Sequence, residues 1–358
     1  VSAVLKPAAE TGASPVVAIV LLGTGVVGGA LLKLLNTPAA ASLRLVGAAN
    51  SRWQQTDPAQ LAQRSLCEQL NRGGEARDNA ALLAALDASG AAVRVIVDAT
   101  ASVSLAARHA EWLARGCHVV TANKALAGGE LSGWNALQAA LAIGGDYGDS
   151  ATVGAGLPVL STLRHLRLCG DELLRLEGVF SGSLSWLFNH YDGSRPFSEL
   201  LHEARQLGYT EPDPRSDLSG EDVARKLLIL ARSAGFALGS DEVRVEGLVP
   251  ESLRTLDAGT FLARLHELDE PLAARHAEAA SHGRVLRFLA RLDQAGQASV
   301  GLVEVPPTHP AARLHGTDNQ FALTTTRYPV QPLVIQGPGA GPEVTAQALL
   351  GDILALQL

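Results

Sequence analysis

Val16–Leu35 reads VVAIVLLGTGVVGGALLKLL. Val16 to Leu22 is an unbroken apolar run of strand length, and glycines follow it at once in Gly23-Thr24-Gly25-Val26-Val27-Gly28. An apolar, helix-forming segment then reaches Leu35. A bare G-x-G-x-x-G carries little weight, and a glycine-rich turn without a ligand is the plain alternative. Set between a buried strand and a helix, it reads as a dinucleotide fingerprint. Its glycines allow a tight turn and let a pyrophosphate approach the helix N-terminus. The expected fold is therefore α/β with a Rossmann-type dinucleotide-binding domain. Gly23, Thr24, Gly25, Val26, Val27 and Gly28 are its candidate cofactor residues.

Further along, a second strand from Leu43 to Ala49 ends at Asn50-Ser51-Arg52. NAD-specific folds place an acid here for the ribose hydroxyls. This chain has Asn50, with Arg52 two residues on, which favours a 2′-phosphate and hence NADP(H), with NAD(H) as the weaker alternative. Residues 53–92 are polar and Ala-rich and read as helices with an excursion over the sheet. Val93 to Val97 is a third strand, ending in Asp98-Ala99-Thr100 where a ligand at the strand ends would lie. Cys117 to Thr121 is a short strand delivering Lys124 to the same edge.

Gly144 to Pro158 (GGDYGDSATVGAGLP) shifts composition, with five glycines and no helix signal. It reads as a crossing to a second domain, either a hinge or a loop whose carbonyls hold a monovalent cation. Strand pattern returns in Leu174 to Phe180, followed by Ser181-Gly182-Ser183 and a helix expected from Trp186. Small residues ahead of a helix could bind a carboxylate with backbone amides or merely cap the helix. Residues 227–300 read as helices with intervening strands. Leu333 to Gln336 is a strand running into Gly337-Pro338-Gly339-Ala340-Gly341, and a final helix from about Val344 is expected to return to the first domain.

The most charged stretch is Gly208 to Lys226, GYTEPDPRSDLSGEDVARK. Pro212 and Pro214 alternate with acids, so its first half reads as an extended loop. Ser219 is a candidate N-cap, with Asp222 placed as in a capping box. A helix from there sets Asp222 and Lys226 one turn apart on one face, with Leu227-Leu228-Ile229-Leu230-Ala231 running into the core. The spacing fits a solvated turn with a surface ion pair, and equally an acidic loop holding a polar substrate beside an ionisable acid. Residue usage tips the balance. Of 29 basic residues only Lys6, Lys33, Lys124 and Lys226 are lysine. Arginine stays charged, whereas lysine can be tuned where a proton must move. Lys124 and Lys226 are therefore the suspects, although Lys6 and Lys33 show that scarcity alone is not proof.

Composition narrows the rest. A chain of 358 residues with 47% hydrophobic and 18% charged residues has room for two cored domains. A net charge of −7 and the lack of a basic run interleaved with aromatics argue against a nucleic-acid partner. No apolar run approaches a membrane span, and no signal-peptide pattern opens the chain. Cys67, Cys117 and Cys169 are odd in number and form no C-x-x-C, which suits a reducing cytoplasm. The ten histidines lack ligand spacing, so no transition-metal site is expected.

Together GTGVVG, VTANKAL, ATVGAGLPV, FSGSLSWLFN, the 208–226 stretch and VIQGPGAG resemble homoserine dehydrogenase from about Val16 to the C-terminus. The pattern is similar to the dehydrogenase half of fused aspartokinase–homoserine dehydrogenases. The resemblance implies reversible NAD(P)H-dependent reduction of L-aspartate 4-semialdehyde to L-homoserine, on the route to threonine and methionine, and a homodimer. Residues 1–14 are Ala-rich and patternless and read as a loose arm. The domain plan that the resemblance implies is an NAD(P)-binding domain at 15–148 and a substrate-binding, catalytic and dimerisation α+β domain at 149–330. The segment 331–358 returns to the nucleotide domain. No kinase or C-terminal regulatory module accompanies these motifs, so threonine is not expected to inhibit through a dedicated domain. Carried over residue by residue, Lys226 is the proton donor, Lys124 lies beside nicotinamide and substrate, and Asp217 supports Lys226 or a water. Glu211 and Asp222 bind the substrate's polar end, with Gly182, Ser183 and Tyr209 against it. Thr100, Gly208 and Gly341 join Asn50 and Arg52 along the cofactor. Main-chain atoms of Ser150, Val153, Ala155 and Leu157 map to a site for Na or K. Two departures stand out. Ser150 occupies a position often acidic in the family, with Asp149 shifted by one, and Arg215-Ser216-Asp217 replaces the commoner Arg-Asp-Asp.

Two rival readings are weighed. An aspartate-semialdehyde dehydrogenase-like reductase works through a thioester and needs a nucleophilic cysteine. A non-catalytic NADP-sensing module explains the glycine loop but leaves both lysines and the 208–226 stretch without a task.

Overall fold

The computed structural model describes residues 16–356 apart from residue 64, so the proposed arm at 1–14 lies outside the described residues. Strand β1 (Val17–Leu22) is wholly buried, as six consecutive apolar residues require of a central strand in a sheet covered on both faces. Helix α1 (Val26–Leu35) follows the glycine loop. Parallel strands β2 (Leu43–Ala49), β5 (Val93–Asp98), β6 (His118–Thr121) and the two-residue β7 (Tyr147–Gly148) extend the sheet around β1. Within residues 53–92, two short antiparallel strands, β3 (Trp53–Thr56) and β4 (Glu75–Ala76), add to the edge beside β2. The sequence reading there was helix and excursion. The polar composition hid the strands, which are short and lie on an edge.

The sheet order is β4-β3-β2-β1-β5-β6-β7, so successive connections diverge on either side of β1. The crevice between the ends of β1 and β5 is the topological switch point, where ligands of such sheets bind. Gly23 leaves β1 at φ +96, and a Cβ on it would stand 2.8 Å from the Ala99 carbonyl oxygen beyond β5. The tight turn closes inside the loop as well. A Cβ on Gly28 would fall 1.9 Å from the Gly23 carbonyl oxygen.

Helix α2 (Val159–Leu168) leads to the second sheet, ordered β13-β12-β8-β10-β11-β9. Its strands are β8 (Leu173–Val179), β9 (Val243–Val245), β10 (Val285–Asp293), β11 (Ala298–Val305), β12 (Asp318–Thr325) and β13 (Leu333–Pro338). All its pairings are antiparallel except β11 with β9. One face packs on helices α3 (Gly182–His190) and α5 (Glu221–Ala234) around Phe180, Phe288 and Phe321. The final helix, α6 (Pro342–Ala355), lies against α1. Its Ala346, Leu349 and Ile353 join Ile19, Leu21 and Leu31 in one buried cluster. Among the described residues no helix is long and apolar enough to cross a membrane.

Three local expectations are corrected. Helix α3 starts at Gly182, not Trp186, because the Ser181 side chain caps it by accepting from the Leu184 amide. The loop after Pro214 is not extended throughout: Arg215–Leu218 forms one helical turn, α4. The Ser219–Asp222 capping box does not form. The residue before α5 is Gly220, left-handed at φ 76, while the Ser219 hydroxyl accepts from the Glu221 amide and Asp222 faces Lys226. Glycine is required there, since a Cβ would meet the Phe288 ring at 2.9 Å.

Gly28→Ala tests the turn. A backbone carbonyl cannot rotate away like a side-chain tip, so the cost should reach the upper end of overpacking, about 3 kcal/mol. Calorimetry should show a thermal midpoint several degrees lower; an unchanged midpoint would mean the turn can open at no cost.

Candidate active site

The C-terminal edge of the first sheet faces the second across a cleft of about 1120 Å³. Val27, Thr100 and Lys124 line it from one side, and Gly182, Ser183, Asp217, Asp222 and Lys226 from the other. Gly208, Tyr209 and Glu211 bring the acidic loop to its rim, and Ala155 and Gly341 close the remaining walls. Gly23, Thr24, Gly25, Val26, Gly28, Asn50, Arg52, Ser150, Val153 and Leu157 are not among the lining residues.

At its centre one carboxylate meets two ammoniums. Lys226 Nζ lies 2.8 Å from Asp222 Oδ2, one turn away on α5. Lys124 Nζ arrives from the loop after β6 and stands 3.5 Å from Asp222 Oδ1. Lys226 Nζ also donates to the Phe180 carbonyl at 2.8 Å, so its side chain, 11% exposed, is held at two points. Burial alone would raise the Asp222 carboxyl, but Lys226 and Lys124 outweigh it and lower it from 3.8 to about 2. Burial lowers Lys124 below the ordinary lysine value, opposed by Asp222 and reinforced by Lys226.

Asp217 does not bond Lys226 directly. Its carboxylate accepts the Ser183 hydroxyl at 2.7 Å and the Glu211 amide at 2.9 Å, tying the start of α3 to the acidic loop. The Glu211 residue is exposed, and Tyr209 packs against Trp186 with ring centroids 5.6 Å apart.

The residues around the glycine loop fit a dinucleotide. Helix α1 begins with no capping side chain and no acid in its first turn, leaving its amides for an anion. A Cβ on Gly25 would meet nothing within 4 Å, so the backbone there is open to a ligand, and the buried Thr24 hydroxyl lacks a partner among the described residues. Asn50 is differently employed. Its Oδ1 accepts the Arg52 and Trp53 amides and its Nδ2 donates to the Leu70 carbonyl, so it shapes the turn. Arg52 is exposed at that corner, and Arg77, which the sequence reading passed over, donates to the Asn50 carbonyl beside it.

In the crossing loop, Ala155 is left-handed at φ 50, which only tertiary context sustains for a residue with a Cβ. Among the described residues the Val153 and Ala155 carbonyls accept no hydrogen bond, while the Leu157 carbonyl accepts the Val159 amide. The Asp149 carboxylate, buried at 0% exposure, pairs with Arg164 at 2.7 Å, so the acid displaced by one position does not replace the one missing at Ser150. Ser150 bonds Asp352 of α6 through its amide and hydroxyl.

Gly339 of the VIQGPGAG motif lines the cleft too, as do Thr317 and Thr345, which no motif marked. Asp98, expected at a ligand-facing strand end, is instead 0% exposed and turned inward. Cys117 is buried before β6, Cys169 follows α2 and Cys67 sits below Gly29; none lines the cleft.

A mostly parallel sheet with a glycine loop that fits a dinucleotide, facing an α+β unit that supplies lysines and acids, is the two-domain build of nicotinamide-dependent oxidoreductases. The comparisons specify which. Residues 23–146 match the family described as homoserine dehydrogenase, NAD binding domain, and residues 158–354 match homoserine dehydrogenase. The chain belongs to the homoserine dehydrogenase family. It is 41% identical over 350 residues to a maize chloroplastic bifunctional aspartokinase/homoserine dehydrogenase 2, covering 95% of this chain and 38% of that relative. It is 44% identical over 274 residues to the Emericella nidulans homoserine dehydrogenase, covering 73% and 74%. A solved Candida auris protein of unknown function superposes with a TM-score of 0.88 at 35% identity, covering 95% and 97%. The chain thus spans well under half of the bifunctional relative it matches.

The central ion triplet makes a pH prediction. Because the folded-state value of Asp222 is depressed, its stabilisation is complete above about 3.8 and lost as pH falls through about 2. The full depression corresponds to about 2 kcal/mol, and with half the side chain exposed screening reduces this to about 1 kcal/mol. In urea titrations Asp222→Asn should be less stable than the parent by that amount at pH 7. The gap should close toward pH 2; equal losses at both pH values would rule out the linkage.

Proposed function

We propose that the chain catalyses reversible reduction of L-aspartate 4-semialdehyde to L-homoserine, and that NADPH serves better than NADH. The observation carrying this reading is the convergence of Lys124, from the loop after β6, and Lys226, from helix α5, on Asp222 inside one cleft. The nicotinamide supplies and accepts the hydride when bound between the glycine loop, Thr100 and Gly341. Hydride arrival at an aldehyde carbon places negative charge on its oxygen. An ammonium held in advance stabilises that charge without reorganising, and can then protonate it. Lys226 takes this role, with its Phe180 and Asp222 contacts fixing its direction. Lys124 provides the second positive charge beside substrate and nicotinamide.

Glu211 and Asp222 suit the substrate ammonium. The first-turn amides of Gly182 and Ser183 suit its carboxylate, and Asp217 holds these two groups in register. Arg52 recognises the 2′-phosphate. The Ser150, Val153, Ala155 and Leu157 main chain is proposed to hold Na or K, supported by the left-handed Ala155 and the unbonded Val153 and Ala155 carbonyls. A homodimer in the cytoplasm, serving threonine and methionine synthesis, completes the proposal. No cysteine in the cleft favours the thioester rival.

The decisive variant is Lys226→Arg. A surface ion pair would tolerate arginine, which keeps the charge. A proton donor would not, because arginine does not release its proton and its planar fork cannot occupy an ammonium's position. Turnover should fall about 100- to 10,000-fold, the usual contribution of general acid catalysis, with NADPH affinity and thermal midpoint retained. Lys124→Arg should behave similarly. Near-normal turnover in Lys226→Arg would return the pair to a structural role.

Cofactor choice is tested separately. Arg52→Ala should lower kcat/KM for NADPH while sparing that for NADH. An unchanged ratio, or an NADH preference in the parent, removes Arg52 from the argument.

A further inference from the structure

Behind the cleft, and unused by the reaction proposed above, lies a buried polar chain from Tyr147 through His109 to Asp98. Asp98 and His109 are both 0% exposed and Asn123 is 2% exposed. Burying such groups is costly unless every one is bonded, so a satisfied network marks a position the fold must hold.

Each donor can be assigned from its partners. The Thr100 hydroxyl accepts the Ser102 amide at 3.1 Å, and its proton points to Asp98 Oδ1 at 2.6 Å. The Thr100 amide donates to the same oxygen at 2.9 Å. Asn123 Oδ1 accepts the Ala125 amide at 3.0 Å, which turns its Nδ2 toward Asp98 Oδ2 and the Ser102 carbonyl, both at 2.9 Å. A carboxylate oxygen only accepts, so His109 Nε2–H donates to Asp98 Oδ2 at 2.9 Å. In the neutral ring that leaves Nδ1 to accept the Tyr147 hydroxyl at 3.0 Å. Asp98 thus faces four donors, two on each oxygen, and only a carboxylate can accept all of them.

The two arms of this cradle lead to different parts of the site. One is Thr100, whose methyl lies where a Cβ on Gly23 would meet it at 2.8 Å, so its placement sets the space beside the glycine loop. The other is Asn123, which fixes the backbone on either side of Lys124. We infer that Asp98 is a positioning residue that sets the cofactor-binding loop and the Lys124 loop at once, with His109 and Tyr147 holding its orientation. This rests on the roles proposed for Thr100 and Lys124.

The test separates the two arms. Thr100→Val keeps the shape but loses the hydroxyl bond, and should weaken NADPH binding in a fluorescence titration more than it lowers kcat. Asn123→Ala should lower kcat while NADPH affinity is largely retained. Asp98→Asn turns an amide toward donors and should impose both losses together. Each should approach about 100-fold, the cost of a misplacement near 1 Å. A merely structural carboxylate would instead lower the thermal midpoint while the folded fraction kept parental affinity and turnover per folded site. That outcome for Asp98→Asn overturns the inference. If Asp98→Asn does not fold, the single-arm variants decide, and parental behaviour in both overturns it. Absence of homoserine-dependent turnover in the parent would defeat the proposed reaction, while the NADPH titration of Thr100→Val would still test the cofactor arm.

Discussion

Asp222 is the point on which the two halves of this molecule agree. Its partners come from opposite sides of the cleft: Lys226 is carried one turn along the same helix, and Lys124 comes from the loop after β6. Two ammoniums brought this close would repel, and the carboxylate between them makes the arrangement tenable. Desolvation and attraction oppose each other here, and the low value of the acid shows that attraction wins. A shift of either sheet relative to the other would leave a half-buried cation without its counter-charge. The cleft therefore depends on a docking geometry that neither sheet specifies alone.

Much of that geometry was legible in the sequence because its cues are local. An unbroken apolar run of strand length ahead of glycines reads as a central strand entering a tight turn, and β1 with α1 follows. Asp222 and Lys226 share a face because helical spacing puts them there. The scarcity of lysine singled out Lys124 and Lys226 from far apart in the chain. What could not be read was whatever depends on the partner surface. Gly220 displaced the expected capping box because Phe288, from β10, leaves no room for a Cβ. Strands β3 and β4 are polar edge strands whose pairing is not written in their periodicity. Thr317 and Thr345 reach the cleft only through the way β12 and α6 pack.

Asp98 shows the same limit from the other direction. At the end of a parallel strand in a nucleotide-binding sheet, an acid reads as a ligand-facing group. The structure turns it inward, toward His109 and Tyr147, which lie 11 and 38 residues apart from their network partners. Strand-end position therefore says where a residue sits and not which way its side chain turns. The inward turn is stable only because every donor around the carboxylate is satisfied.

The seam between the halves is further pinned beneath the lysines. Arg232, two turns beyond Lys226 on α5 and only 2% exposed, donates to the Ala127 carbonyl at 2.8 Å and to the Leu238 carbonyl through two nitrogens. Ala127 belongs to the loop that carries Lys124, and Leu238 to the segment after α5. A buried guanidinium bridging carbonyls from both is strongly resistant to separation, since parting them would strand a charge away from water. A Cβ on Gly128 would strike Arg225 Cγ at 2.3 Å, so the loop and α5 are already in contact along this line. On the opposite side of the cleft the walls are Val27, Ala155 and Gly341.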